Sequence, residues 1–158
     1  MSRLNSMMRR LAAQAEGLEW GLTQIGTLEG DFLEMGLGNG RTYDHMREIA
    51  PDRRIWVIDR ALNCHESCVP PKEDYLEGEA EDMLRKLAAD GVKIALGHYD
   101  FGFGVKAKDV AEAARLSEMI AAVMAPNGVL ISGQPLVGFE QVRGPETVAP
   151  ERYHFYRA

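Results

Sequence analysis

The stretch FLEMGLGNGRTYDHM, residues 32–46, combines an apolar run, one acid and three closely spaced glycines. Glycine adopts positive φ angles freely and lets another molecule approach the bare main chain. Gly36, Gly38 and Gly40 are therefore typical of a strand-to-helix turn that passes close to a ligand. The free N–H groups of the helix that begins after such a turn suit an anionic group.

Three ligands fit this general pattern: a nucleoside triphosphate, a dinucleotide, and the carboxylate end of S-adenosylmethionine. A phosphate-binding P-loop needs Lys and then Ser or Thr after its last glycine, whereas Arg41 and Thr42 follow Gly40 without the required spacing. A dinucleotide fingerprint needs G-x-G-x-x-G, and here Arg41 stands where the third glycine belongs. S-adenosylmethionine is the ligand that the loop favours.

A second acid closes the next apolar run, IWVID. Asp59 lies about 20 residues past Gly40, which is the spacing expected of a carboxylate that binds the hydroxyls of a ribose. The two oxygens of a carboxylate can accept from two hydroxyl donors. The segment from Glu34 to Gly40, E-x-G-x-G-x-G, together with Asp59 therefore indicates an adenosyl group.

With these residues the chain resembles the class I S-adenosylmethionine-dependent methyltransferases, in a compact, bacterial-type form. Residues 78–81, GEAE, are similar to that family's third motif, whose acidic-plus-small pair lies beside the adenine, and residues 126–128, PNG, resemble the turn before its fifth strand. The resemblance implies S-adenosyl-L-methionine as cofactor and methyl transfer as the reaction. It implies cofactor binding by Glu34, Gly36, Leu37, Gly38, Asn39, Gly40, Arg41, Thr42, Asp59, Arg60, Glu79, Ala80, Gly97 and His98.

The segment GHYDFGFG, residues 97–104, is predicted to follow the fourth strand at the mouth of that pocket. His98 is the candidate for a base that removes the proton of a hydroxyl or amine acceptor, because histidine titrates near neutral pH. Tyr99 and Asp100 are candidates for contact with the substrate or with the methionine moiety. The alternative is a structural His98 that only bonds to the backbone.

Strand-like and helix-like apolar patterns alternate along the chain, which predicts a doubly wound, mostly parallel α/β sheet of the Rossmann-like type. An N-terminal helix with its apolar residues from Leu4 to Ala15 turned inward is predicted to pack on this sheet. The residues after the fifth strand leave room for a shortened C-terminal part, in which QVRG and RYHFYR pair antiparallel. Strands are predicted at residues 31–35, 55–59, 75–76, 92–96 and 129–132, and helices at 41–50, at 80–88 and from the capping pair Asp109 and Glu112 onward.

The length of 158 residues predicts one domain, 1–158, with the N-terminal helix within residues 1–20. A net charge of −6 argues against nucleic acid as a partner, since such binding needs a concentrated basic surface. No apolar run has transmembrane length, so we expect a cytoplasmic protein without a membrane partner. Cys64 and Cys68 are expected to be reduced thiols, and no metal is predicted because no second pair of ligands has suitable spacing.

The predicted methyl acceptor is a small molecule. Whether the protein forms a homo-oligomer is left open by the sequence. Two other functions remain possible at this point. One is an NAD-dependent oxidoreductase, which Arg41 disfavours. The other is a non-catalytic module that binds S-adenosylmethionine, which the shortened C-terminal part motivates.

Overall fold

The structure, a computed structural model, describes residues 2–158, so Met1 of the predicted N-terminal segment lies outside the described residues. Helices and strands alternate after a long first helix. The helices are α1 (Arg3–Ile25), α2 (Arg41–Ile49), α3 (Ala80–Ala89) and α4 (Lys106–Val123), with a 3-10 turn at Glu66–Cys68. The strands are β1 (Asp31–Met35), β2 (Ile55–Asp59), β3 (Tyr75–Glu77), β4 (Ile94–Tyr99), β5 (Met124–Ser132), β6 (Glu140–Val142) and β7 (His154–Arg157).

The seven strands form one sheet in the order β3-β2-β1-β4-β5-β7-β6. Strands β1 to β5 run parallel, whereas β7 is antiparallel to both β5 and β6. The predicted fold class is confirmed, including its short antiparallel end. The winding reverses between β1 and β4, and the carboxyl ends of these two strands border the crevice in which such sheets bind ligands.

Helix α1 packs on the sheet with a different face from the predicted one. Its buried residues begin only at Ala13 and include Leu18, Gly21 and Ile25. Leu4, Met7 and Met8, predicted to turn inward, are instead 69%, 52% and 60% exposed. The physical reason is that the first turns of α1 extend past the carboxyl edge of the strands, so no sheet lies beneath them.

Strand β4 differs most from its prediction because it ends at Tyr99 and not at Leu96. Gly97, His98 and Tyr99 consequently lie inside a central strand, where β1 and β5 pair with it on both sides. A histidine is tolerated there because Glu34 of β1 is its direct neighbour across the ladder. The predicted strand ended too early because a polar residue, His98, interrupts an otherwise apolar run.

The predicted capping pair and the predicted fifth strand are also corrected. Helix α4 begins at Lys106, so Asp109 lies within its first turn and accepts the N–H of Phe103 at 2.6 Å instead of capping the helix. Strand β5 begins at Met124 and includes the PNG segment, in which Asn127 has a φ of 65°. The register between β4 and β5 shifts there, so the segment is a bulge within the strand.

Along residues 2–158, none of the helices has the length and apolarity that crossing a membrane requires.

Gly21 is the position at which α1 approaches the sheet most tightly. A Cβ there would stand 2.7 Å from Leu96 Cδ1 and 2.9 Å from Ile131 Cδ1, which are both fully buried. We expect Gly21→Val to lower the free energy of unfolding by about 1–3 kcal/mol, because the added methyl groups overpack this contact. Urea unfolding measures the change. Thr23→Val on the exposed side of the same helix is the control and should stay within about 0.5 kcal/mol.

Candidate functional site

The glycine turn between β1 and α2 has three glycines with positive φ and different surroundings. Gly36, Gly38 and Gly40 have φ angles of 98°, 51° and 86°. A Cβ on Gly38 would meet no atom within 4 Å, so this residue alone opens onto free space. Bare main chain for a ligand is therefore presented at Gly38.

The other two glycines are required by the protein itself. A Cβ on Gly36 would stand 3.0 Å from the carbonyl of Asp100, where the chain leaves β4. A Cβ on Gly40 would overlap the side chain of Cys68 and approach Cβ of Cys64 to 3.2 Å. The two cysteines are free thiols that pack against the turn. Gly36 and Gly40 thus fix the shape of the turn, and Gly38 faces the ligand space.

A cavity of about 340 Å³ lies in front of the turn, at the carboxyl ends of β1, β2 and β4. We call it the first cavity. Helix α1 closes one side of it. Its walls comprise Met7, Arg10, Leu11, Gln14, Gly36, Leu37, Gly38, Asn39, Arg41, Thr42, Asp59, Asp100, Phe101 and Gly102.

A second cavity, of about 230 Å³, continues past Asp59 toward α3 and α4. Its walls include Arg60, Ala80, Phe101 and Phe103. The Arg60 guanidinium lies over the Phe103 ring, 5.2 Å from its centre. These flat apolar and stacked surfaces suit an aromatic base.

Asp59 forms part of both cavity walls and also holds the glycine turn. Its Oδ2 accepts the N–H groups of Leu37 at 2.8 Å and Gly38 at 3.2 Å, and its Oδ1 accepts the N–H of Arg60 at 2.7 Å. The carboxylate thereby fixes the turn that lies next to it. Oδ2 already accepts two donors, whereas Oδ1 has lone-pair capacity for one more.

Behind the first cavity, a buried ion pair joins the two central strands. His98 of β4 and Glu34 of β1 are both fully buried, with 2.9 Å between His98 Nδ1 and Glu34 Oε2. Thr42, at the start of α2, donates its hydroxyl to Glu34 Oε1 at 2.6 Å. The pair therefore links both strands to the helix that follows the glycine turn.

The network continues from His98 to the edge of the first cavity. His98 Nε2 lies 3.3 Å from the hydroxyl of Tyr153, which donates to Asp100 Oδ1 at 3.2 Å. Gln14 donates to Tyr153 at 2.9 Å and to Asp100 Oδ2 at 3.0 Å. Arg10 donates to Asp100 Oδ1 at 2.6 Å. Helix α1 is thus tied to the carboxyl end of β4 and to the chain before β7.

The protonation of the network follows from burial and charge. Burial by itself lowers the pKa of His98, but the charge and hydrogen bond of the Glu34 carboxylate, together with the charge of Asp100, raise this pKa above the ordinary 6.5. Burial and the charge of Asp100 raise the pKa of Tyr153, which therefore keeps its proton. A protonated His98 donates from both ring nitrogens and cannot accept a proton.

The predicted site residues fall into two groups. Eight line the first cavity: Gly36, Leu37, Gly38, Asn39, Arg41, Thr42, Asp59 and Asp100. Asp59 also lines the second cavity, together with Arg60 and Ala80. The others line neither: Glu34, Gly40, Glu79, Gly97, His98 and Tyr99. Glu79 is exposed and pairs with Arg60, whereas the remainder lie within the protein.

The expected positions of His98 and Tyr99 at the pocket mouth differ from the structure. Both side chains are fully buried because β4 extends through them. Tyr99 packs with Leu33 and Leu130 in the core on the other face of the sheet, against Phe101. A Cβ on Gly97 would contact Leu130 in that same core. Direct contact of Tyr99 with a substrate is therefore not part of this geometry.

The hydrogen-bonded residues Arg10, Gln14 and Tyr153 were not predicted as part of the site. Arg10 and Gln14 are four residues apart, so they share one face of α1. The four-residue spacing was the only sequence signal for this pair, and the apolar residues around it drew attention to packing instead. Tyr153 lies far along the chain in a segment with no motif, and its role depends on β7 folding back beside β5.

The described residues fit S-adenosylmethionine. The open main chain at Gly38 and the side chain of Arg41 suit a carboxylate. Asp59 suits ribose hydroxyls, and the second cavity suits adenine. No group of three or more His, Cys, Asp or Glu residues is arranged to bind a metal among residues 2–158.

The raised pKa of His98 depends on Glu34. We expect the His98 ring, followed by NMR, to titrate above pH 6.5 in the wild type and below pH 6.5 in Glu34→Gln, because burial then outweighs the remaining charges. His154 is the control, since burial lowers its pKa and it lies outside this network. A wild-type His98 that titrates below pH 6.5 would contradict the ion pair.

The same pair makes stability depend on pH. Because the folded protein binds the His98 proton more tightly than the unfolded chain, the proton stabilises the fold fully below about pH 6.5. This contribution is lost as the pH rises through the raised pKa. Relative to Glu34→Gln/His98→Gln, which lacks both groups, we expect the wild-type free energy of unfolding to fall over that interval. Urea unfolding at constant salt measures the difference.

Comparison with known proteins identifies the family. A family model described as S-adenosyl-L-methionine methyltransferase matches residues 1–158. A crystal structure of an S-adenosyl-L-methionine methyl transferase from Silicibacter pomeroyi DSS-3 is 30% identical, over 99% of this chain and 98% of that one, with a TM-score of 0.93. A search of curated proteins gave no match.

Two more distant structures share the fold. CalS11, a TDP-rhamnose 3'-O-methyltransferase of calicheamicin biosynthesis, is 14% identical over 92% of this chain and 79% of that one, with a TM-score of 0.63. Human methyltransferase-like protein 13, crystallised with SAH, is 13% identical over 100% of this chain and 82% of that one, with a TM-score of 0.58. The chain belongs to the S-adenosyl-L-methionine methyltransferase family, and it is an enzyme that uses S-adenosyl-L-methionine as its methyl donor.

Proposed function

We propose that this enzyme methylates a small molecule and that its cofactor occupies the first and second cavities together, with Asp59 at their junction. The observation that carries the cofactor site is the double role of Asp59, whose carboxylate belongs to both walls and also holds the turn at Gly38. One side chain thereby couples the shape of the turn to the ribose position.

The predicted cofactor residues take three kinds of role in this proposal. Residues around Gly38, with Arg41 and Thr42, hold the methionine end, Asp59 holds the ribose, and Ala80 with Arg60 borders the adenine. Glu79 acts through its ion pair with Arg60, which it meets at 2.8 Å. Glu34, Gly36, Gly40, Gly97 and His98 are positioning residues that keep the turn and the central strands in place.

When bound, S-adenosyl-L-methionine supplies a methyl group that its sulfonium activates for displacement. The protein has to align the acceptor and exclude water from it. Arg10, Gln14, Asp100 and Tyr153 form a polar edge of fixed geometry beside the first cavity, since each is hydrogen bonded to at least one other. His98 is fully buried behind this edge, between Glu34 and Tyr153, and we assign it the role of orienting Tyr153.

A small acceptor agrees with the size and charge of the molecule. The cavities have volumes of a few hundred cubic ångströms, about 340 Å³ for the first, which lies within the range typical of small-ligand sites. The net charge of −6 disfavours nucleic acid. We also propose that residues 1–158 work as a single cofactor-binding unit, because α1 supplies Arg10 and Gln14 to the site.

Replacing Asp59 tests the cofactor site. We expect Asp59→Ala to weaken S-adenosylmethionine binding by about 1–3 kcal/mol, because the ribose hydroxyls and the turn both lose an acceptor. Asp59→Asn keeps one oxygen for the Leu37 N–H and should lose less. Titration calorimetry with S-adenosylmethionine, S-adenosylhomocysteine and NAD measures the affinities. The exposed Asp52→Ala is the control, and unchanged binding by Asp59→Ala, or preference for NAD, would refute the assignment.

Gly38→Val tests whether the ligand passes close to the turn. The valine side chain would project into the first cavity, so we expect S-adenosylmethionine binding to be lost while the domain stays folded. Gly91→Val is a matched control, because Gly91 also has a positive φ, 73°, and open space around it, but lies beyond α3 and away from the cavities. Both variants place a valine at a positive φ, which strains the backbone. Full affinity in Gly38→Val would exclude close approach at this residue.

A further inference from the structure

A third cavity, of about 260 Å³, adjoins the first one. The two share Arg10, Asp100, Phe101 and Gly102. The far wall of the third cavity is built by the chain after β5 and by the two residues before β7, Arg152 and Tyr153. A molecule in this cavity would therefore extend toward the cofactor site from the C-terminal end of the chain.

Arg152 is unusual among the arginines because it is partly buried and has no partner. Along residues 2–158, no ion pair or side-chain hydrogen bond joins its guanidinium to another residue, and it faces the third cavity. Arg3 and Arg9 are the other arginines without a side-chain partner in that range, and both are exposed on α1. A guanidinium on a cavity wall without a counter-charge is available to bind an anion.

The other charged groups of the third cavity already have partners. Asp100 accepts from Arg10, Gln14 and Tyr153. Asp109 is 6% exposed and accepts the Phe103 N–H. Neither carboxylate lies within ion-pair distance of Arg152, so the positive charge of Arg152 is left for a ligand.

The chain after β5, which forms another part of the wall of the third cavity, provides polar groups that can bind a ligand. A Cβ on Gly133 would stand 2.9 Å from Asp100 Oδ1, so a glycine there lets the carboxylate reach its partners. The main chain of Gln134 is fixed by Ser132, whose hydroxyl donates to Gln134 O at 2.6 Å. The amide side chain of Gln134 makes no hydrogen bond to another residue within the described chain and borders the same cavity.

We propose that the third cavity binds the methyl acceptor and that Arg152 binds an anionic group on it, a carboxylate or a phosphate. This inference rests on the proposed function, since it takes the first cavity to be the cofactor site. The planar fork of a guanidinium binds a carboxylate or phosphate through two parallel hydrogen bonds. The acceptor is thus a small anionic molecule whose other end lies toward Asp100 and Gly102.

The test titrates the protein loaded with S-adenosylhomocysteine with sodium acetate and with inorganic phosphate, at constant ionic strength. The Nε–Hε signals of ¹⁵N-labelled arginine report on each guanidinium. We expect a saturable shift of the Arg152 signal with at least one anion, and none with acetamide, the uncharged match of acetate. Arg3 and Arg9 are internal controls, and their signals should change without saturation.

Variants then separate this site from the cofactor site. In the variants, the backbone amide signals of Gly133 and Gln134 report on anion binding. Arg152→Gln should weaken this binding by at least tenfold, and Arg152→Lys should weaken it less. Arg143→Gln removes an exposed arginine near the same end of the chain and should change nothing. Calorimetry should give Arg152→Gln the same S-adenosylhomocysteine affinity as the wild type.

Two results would overturn the inference: a linear Arg152 response to both anions, or an Arg152→Gln variant with weakened S-adenosylhomocysteine binding. The second result would assign Arg152 to the cofactor site. Failure of the wild type to bind S-adenosylhomocysteine would instead refute the proposed cofactor site. In that case the anion titration of the free protein still decides whether Arg152 binds anions.

Discussion

The buried pair of Glu34 and His98 is the constraint on which the rest of the site depends. Two charged groups at the centre of a parallel sheet are stable only when they are paired and their remaining hydrogen bonds are satisfied. Glu34 satisfies this condition through Thr42, and His98 satisfies it through Tyr153. One pair in the core therefore determines where α2 begins and where the chain before β7 must lie. An apolar pair in its place would hold β1 to β4 but would specify neither position.

The pair also explains how distant segments reach a single crevice. The reversal of winding between β1 and β4 separates the connections that follow these strands and leaves space at their carboxyl ends. Asp100, which follows β4 directly, extends the network into that space and binds Arg10 and Gln14 of α1. The first helix is thereby fixed over the opening by hydrogen bonds, where its apolar residues have no sheet to cover. Leu4, Met7 and Met8 remain exposed for this reason.

The sequence was sufficient for the fold class, and it also predicted the glycine turn and Asp59, which line the first cavity. Strand-to-helix glycines, the acid that ends β2 and the GEAE segment are local signals, because each acts within a few residues of its own strand. The sequence was insufficient where a role depends on pairing between strands. His98 had the chemistry of a base, but its neighbour across the ladder, Glu34, determines its proton and its burial. Tyr153 falls in the segment RYHFYR, which was predicted only as an antiparallel strand, and its role in the site follows from the pairing of β7 with β5.

The short C-terminal part, which first suggested a module without an acceptor site, argues for catalysis once its path is followed. Strand β7 pairs with β5 so that His154 lies opposite Ser132, at the carboxyl end of β5. Because β7 is antiparallel, the residues just before it, Arg152 and Tyr153, reach the same edge of the sheet as the glycine turn. A parallel strand in that place would have brought its first residues to the opposite edge. The C-terminal part therefore forms a wall next to the first cavity, and that wall carries the Tyr153 hydroxyl, which is bound to Asp100, and the Arg152 guanidinium, which has no counter-charge.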